Sequence, residues 1–299
     1  SDMKLSCQIS AQALKLAGEL IRPGVSTAHV NKMVHEFIVS QGAKPTFLGY
    51  GGFPAACCIS INDEVIHGIP SDRIIREGDI VSVDVGAAIN GYTGDNAATF
   101  AAGTVSEEAK KLMEVTEQCL YKAIEAAQPG NRLGDVGYAV QAYAESFGFA
   151  VVRDFVGHGV GKKLHEEPEV PNYGTPGRGI RLMPGMTLAI EPMINAKGAA
   201  VKVLKDGTVL TASGSLSAHF EHTIAITADG VNNLSDAGSS IVSLVSFRIS
   251  AKPADRDHPF GHARIEYVAS MIVSFLVLLV GFELLRDSVG KIASPTAPD

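Results

Sequence analysis

The sequence predicts an α/β (α+β) fold over residues 1–230, built as two halves about a pseudo-two-fold axis and followed by a hydrophobic helical tail over residues 231–299. Three observations carry this. Segments of helical periodicity alternate with short apolar strands as far as about Gly230. Two stretches, EGDIVSVDVG (Glu77 to Gly86) and PGMTLAIEPM (Pro184 to Met193), each read glycine, five residues, then an acid, which gives Asp84 and Glu191 equivalent places. Beyond Val231 the alternation stops. A serine-rich apolar run (Ser239 to Ser250), a polar loop and the uncharged YVASMIVSFLVLLVGF of Tyr267 to Phe282 take its place.

The elements follow in order. Gln8 to Ile21 carries apolar residues at helical spacing and stops at Pro23-Gly24. Ser26 caps a second helix running to about Val39. Cys57 to Ile61 reads as a strand, and Asp79 to Phe100 as a hairpin turned at Asn90-Gly91. Ser106, Glu107 and Glu108 open a long helix to about Ala127, closed by Pro129-Gly130. A fourth helix covers Leu133 to Phe147, and strands follow near Val151 to Phe155, Met186 to Ile194 and Phe220 to Thr227.

Composition narrows the function. Hydrophobic residues make up 46% of the 299 and charged residues 19%, enough apolar material for a substantial core. The net charge of -7 argues against a nucleic-acid partner. Four cysteines without CxxC spacing suit reduced thiols of a cytoplasmic protein. The opening SDMKLSCQIS has no signal-peptide core, and Ser1 in place of Met reads as a shortened N-terminus.

The chemistry begins in the hairpin. With Asn90-Gly91 at its turn, Asp84 faces Ala97 and Asp95 is the diagonal neighbour of Asp84 on the same face. Two carboxylates so placed raise each other's pKa unless a cation neutralises them. Asp95 alone would also fit a turn cap, whereas Asp84 sits mid-strand between valines. Glu191 lies in the apolar TLAIEPMI, Glu221 in HFEHTIAI, and His158 and His165 in the glycine-rich loop VGHGVGKKLHEE. Taken singly, each fits a polar residue closing a strand. Together, four oxygen donors and one imidazole suit a pair of divalent ions such as Co, Mn, Fe or Zn, and such a pair points to metal-assisted hydrolysis. No P-loop, HExxH or GxSxG motif competes.

In order and spacing, CISINDEVIHGIP, SVDVG, GYTGDNAATF, GHGVGKKLHEEP, AIEPM and SLSAHFEHT resemble the type I methionine aminopeptidases over roughly Lys4 to Gly230. The resemblance implies the pita-bread (creatinase/aminopeptidase-like) fold. It also implies removal of the initiator methionine from nascent chains, at the ribosome, when the second residue is small. It assigns Asp84, Asp95, His158, Glu191 and Glu221 as metal ligands, Glu191 also as proton shuttle, His67 as stabiliser of the tetrahedral centre and His165 as hydrogen-bond partner of the substrate. Tyr50, Phe53 and Cys58 would line the methionine pocket together with His67 and His165, and the catalytic part would be monomeric. One departure stands out: the tryptophan expected beside Asp206-Gly207 is missing, and the chain has no Trp. A same-fold Xaa-Pro peptidase is the alternative enzyme, and a catalytically dead binding module would require lost ligands.

The tail resembles another family. NLSDAGSSIVSLVSFRISAKPADRDHPFGHARIEY is similar to the second and third membrane helices of cation diffusion facilitator zinc transporters. Asp236 matches one transport-site position, but the upstream partner position is Asn232, and Asp255, His258 and His262 match a peripheral loop site. Two helices cannot build a transport pathway. A single span at residues 265–285 would instead associate the tail with a membrane and keep the catalytic part in the cytoplasm.

Overall fold

The computed structural model describes residues 2–235. The first half runs α1 (Asp2–Leu20), α2 (Thr27–Ser40), β1 (Lys44–Pro45), a short 3₁₀ turn at Tyr50–Gly52, β2 (Cys57–Ile61), β3 (Glu64–Ile66), β4 (Ile80–Ile89) and β5 (Tyr92–Ala101). The second half opens with α3 (Glu107–Ala126) and α4 (Leu133–Ser146). Its strands are β6 (Ala150–Val151), β7 (Gly157–Gly159), β8 (Glu166–Val170), β9 (Thr187–Ile190), β10 (Met193–Asn195), β11 (Val201–Val203), β12 (Val209–Thr211), β13 (Ser217–His219), β14 (Glu221–Thr227) and β15 (Gly230–Asn233).

The main sheet is antiparallel and reads β1-β4-β5-β14-β9-β7-β8, with β2 also on β4 and β15 also on β14. Two matched sets meet in its centre: β2-β4-β5 on one side and β7-β9-β14 on the other, joined where β5 pairs β14. Each set is preceded by two helices. The two glycines of the sequence repeat, Gly78 and Gly185, both take positive φ in the turn before their strand.

Alternation along the strands decides which face each side chain meets. In β4, Val81, Val83 and Val85 pack with Ala13, Leu14, Val30, Val34 and Ile38 of the first two helices. Asp84 therefore points to the opposite face. In the second half, Leu188, Ile190 and Ile224 pack with Leu112, Leu120, Val136 and Val140. Each large aliphatic side chain so buried contributes roughly 1.5–3 kcal/mol, which fixes the register that aims the acids away from the helices.

Local signals act as expected at several points. Ser26 accepts from the His29 amide, and Ser106 from the Ala109 amide. The Asn90-Gly91 turn has both residues at positive φ, the type I′ geometry that matches strand twist. Elsewhere tertiary contacts override the local reading. Helix α1 starts at Asp2 rather than Gln8, because Met3 and Cys7 pack with Val160, Ala189 and Leu234 from the other half. The strand expected over Met186 to Ile194 breaks at Glu191-Pro192, where β9 stays in the main sheet and β10 joins β6 and β13. The expected strand Val151 to Phe155 is only Ala150–Val151. Within the glycine-rich stretch read as a loop, Gly157–Gly159 forms strand β7, whereas residues 160–165 lie in no strand. A Cβ on Gly157 would strike the Ala189 carbonyl, and one on Gly159 the Glu167 carbonyl.

Strand β15 pairs β14, the Leu234 amide donates to Thr223 O, and the Thr223 amide donates to Ser235 Oγ. The compact unit includes the described chain through Ser235, so the sequence break near Val231 falls inside a hairpin. Asn232, matched in sequence to a transport-helix position, instead sits in β15 opposite Ala225, because ladder hydrogen bonds to β14 hold it in the sheet. Asp236, Asp255, His258, His262 and the run at residues 265–285 lie outside the described residues. Among the described residues, no helix is long and apolar enough to cross a membrane.

Candidate metal centre

The sheet register brings the acids together. Cys58 pairs with Asp84, Asp84 with Ala97, and Ala97 with Glu221, making one row across β2, β4, β5 and β14. Asp95 pairs with Gly86 in a neighbouring row of the same hairpin. A further row, His158–Ala189–Thr223, crosses β7, β9 and β14. Thr223 Oγ accepts from the Asp95 amide and donates to the Asp95 carbonyl, which fixes that strand position from both sides. Glu191 stands just past the end of β9, where Pro192 turns the chain, and its carbonyl accepts from the buried Asn172 side chain. The small residue Ala97 stands between Asp84 and Glu221 in the first of these rows.

All five residues line one cavity of about 380 Å³. His158 Nε2 lies 3.7 Å from Asp95 Oδ2 and 3.5 Å from Glu191 Oε1. His158 Nδ1 is 2.8 Å from the Gly159 carbonyl. A carbonyl only accepts, so Nδ1 carries the hydrogen, and in the neutral ring Nε2 offers a lone pair to the acids. Asp95, His158 and Glu221 form one group whose ligand atoms lie within 4.8 Å of one another. Asp84 Oδ1 and Glu221 Oε1 are buried without a hydrogen-bond partner among the described residues.

Electrostatics demand a countercharge here. Burial, then Asp95 and Glu191, push the Asp84 pKa well above the usual carboxylate range. Burial likewise raises Glu221, with Asp95, Glu191 and Asp84 adding to it. Asp95 is pushed up to about 6, chiefly by burial, although His158 opposes the rise. No Lys or Arg is among the residues lining the cavity. Three buried acids and the half-buried Asp84, two of the four with an orphaned oxygen, an imidazole lone pair and no side-chain cation are the donor set of a divalent-metal site.

The remaining sequence-predicted residues surround this cluster. His67 and His165 line the same cavity, as do Tyr50, Phe53 and Cys58. His67 takes φ 60, unusual for a non-glycine residue. Its neighbour Gly68 is held by Ser60 Oγ, by Ile59 and by a backbone too close for any Cβ. Its ring meets the edge of Phe155 at 5.8 Å. His165 Nδ1 is 2.7 Å from the Tyr50 hydroxyl, and its ring lies 4.3 Å from that of His158. Burial lowers the pKa of both His67 and His165, with His158 adding to the effect on His165. Beside them Phe47, Cys58 and Leu164 form a small apolar cluster against Phe53. Both Cys57 and Cys58 are buried free thiols, their pKa raised first by burial and then by Asp84.

The family comparisons agree with this geometry. The model of metallopeptidase family M24 matches residues 1–228. A methionine aminopeptidase of Clostridium acetobutylicum is 53% identical over 230 residues, covering 76% of this chain and 92% of the relative. The chain belongs to the methionine aminopeptidases of metallopeptidase family M24. Methionine aminopeptidase 1 of Bacillus subtilis is 52% identical over 215 residues, covering 72% and 87% of the two chains. The crystal structure of the Thermotoga maritima methionine aminopeptidase superposes with a TM-score of 0.77 at 48% identity, over 79% of this chain and 95% of that one. The fold is thus the pita-bread fold of this family, and the chain is a metal-dependent methionine aminopeptidase rather than an Xaa-Pro peptidase. A second family model, the cation efflux transmembrane domain, matches residues 208–299. Within that match, residues 209–233 form β12 to β15 and belong to the aminopeptidase unit.

Sequence reasoning missed several residues of the cavity and of the acid cluster. Phe47, Leu164 and Phe155 carry no spacing signal, since three separate segments bring them in. His219 had a signal. It lies two residues before Glu221, yet Phe220 separates two strands of different sheets there. Its Nε2 is 3.2 Å from Glu191 Oε2.

Proposed function

We propose that the chain releases the N-terminal methionine of nascent polypeptides whose second residue is small, with two divalent ions held by Asp84, Asp95, His158, Glu191 and Glu221. The observation that carries this reading is the convergence of three buried acids, the half-buried Asp84 and the bare His158 nitrogen in a cavity lined by no Lys or Arg. Co, Mn, Fe or Zn fits the mixed oxygen and imidazole donors. Bound there, such ions supply Lewis acidity toward the scissile carbonyl and make water acidic enough to attack at neutral pH.

The protein's own groups do the rest. Glu191 takes the proton of the attacking water and returns it to the leaving amine. His165, with Nδ1 engaged by Tyr50, turns its other nitrogen to the substrate amide. His67, kept neutral by burial and fixed by its backbone, donates to the tetrahedral centre. The methionine side chain enters beside Tyr50, Phe53, Cys58, Phe47 and Leu164, where an unbranched thioether packs against aromatic edges.

The test is methionine release from a Met-Ala-Ser peptide by metal-stripped protein, with each ion restored in turn. Release that depends on the metal, and is lost in Glu191→Ala and Asp95→Asn, supports the reading. No release with any of the ions overturns it.

A further inference from the structure

The clustered donors do not end with the five that the family resemblance assigns. His219 is only 1% exposed, at the end of β13 where the chain crosses to β14. Its backbone is clamped, because the amide donates to Thr99 Oγ and the Thr99 hydroxyl lies 2.9 Å from the His219 carbonyl and 2.9 Å from Ser82 Oγ. The Nε2 atom points into the acid cluster. It is buried and makes no aligned hydrogen bond among the described residues, even though Glu191 Oε2 is only 3.2 Å away. A fully buried imidazole nitrogen without a hydrogen bond is costly unless something else meets it.

That something is suggested by the pattern of the donors. Two groups have ligand atoms within 4.8 Å of one another: Asp95, His158 and Glu221, and Glu191, His219 and Glu221. Each contains one imidazole and two carboxylates, and Glu221 belongs to both. We propose that His219 is a sixth protein donor of the dinuclear centre, so that each ion has its own histidine and Glu221 lies between them. The proposal rests on the metallo-aminopeptidase reading above and adds to it a second nitrogen ligand. Its consequence is metal choice. A second imidazole favours Zn, Co or Fe over the oxygen-preferring Mn.

The test uses the full chain, stripped and titrated with Co(II), and follows both binding and the visible d–d spectrum. His219→Gln keeps size and hydrogen bonding but removes the imidazole. The expected result is an altered Co(II) spectrum and at least about a tenfold loss of affinity for one of the two ions, in line with other losses at metal shells. The preference for Co over Mn should narrow in the same variant. X-ray absorption of the unmutated Zn-loaded protein, which needs no variant to fold, should count about one imidazole per ion, against about one half if only His158 binds. Superimposable spectra and binding curves for the two proteins, or an imidazole count near one half, would overturn the role of His219. If the unmutated protein binds no divalent ion at all, the failure lies with the metalloenzyme reading itself.

Discussion

Asp84 and Glu221 stand in one row of the sheet with a single residue, Ala97, between their strands. Neither acid is sequence-adjacent to the other, and their convergence depends on Ala97 having no bulk beyond Cβ. Ala97 is buried, so a larger side chain there must occupy the space above the sheet. Ala97→Val should therefore weaken divalent-metal affinity by at least about tenfold, while overpacking costs roughly 1–3 kcal/mol of stability. Calorimetric metal titration beside urea unfolding checks both. Unchanged affinity would mean that the acids meet elsewhere than over Ala97.

The acid cluster makes the metal-free protein sensitive to pH in a defined direction. Asp95 has a folded pKa of about 6 against an ordinary 3.8, so the folded state holds its proton more tightly than the unfolded chain. The stability this contributes is complete below about pH 4 and is lost as pH rises through about 6. Asp84 and Glu221 shift in the same direction and extend the loss to higher pH. Relative to acid conditions, the stripped protein should lose stability at neutral pH, with Asp84, Asp95 and Glu221 contributing together. Unfolding between pH 4 and 8, with chelator or with metal, measures this. Metal should restore stability most at the neutral end, and Asp95→Asn should flatten the chelated profile.

The contact between the Tyr50 hydroxyl and His165 Nδ1, 2.7 Å long, ties an exposed rim residue to the substrate-facing histidine. Tyr50→Phe keeps the ring and removes the partner. kcat/KM should fall by about five- to tenfold, the worth of one hydrogen bond of roughly 1 kcal/mol. Metal affinity should be unchanged, since Tyr50 Oη meets His165 and not the acid cluster. An equal loss of metal affinity would show that Tyr50 acts on the whole site.

Residues just past the sequence break matter to the site. Leu234 and Ser235 bond to both sides of Thr223, whose hydroxyl grips the Asp95 backbone. A chain ending after Asp236 should keep the methionine release of the full chain. A chain ending after Gly230 loses β15 and these bonds, and should melt several degrees lower, as expected for a loss of about 1–3 kcal/mol. Thermal unfolding and methionine release of the two truncations decide this. Equal behaviour would make β15 dispensable.

The amino-acid pattern by itself determined the helices capped by Ser26 and Ser106, the Asn90-Gly91 hairpin and its register. With them came the facing of Asp84 toward Ala97 and the placement of acids opposite the valines that bury themselves under helices. Those features are local: they follow from capping, turn chemistry and period-two alternation within one stretch of chain. The same local reading offered Glu191, Glu221, His158 and His165 as candidates, and the motif resemblance gave them roles and added His67. Only the tertiary structure decided that Glu221 shares a row with Asp84, that the glycines around His158 form a strand under close backbone contact, and that Glu191 ends a strand broken at Pro192. It alone brought Phe47 and Leu164 to the pocket and turned His219 into the cluster. Each of these depends on pairing between segments far apart in sequence, and such long-range packing leaves no periodic trace in any one of them.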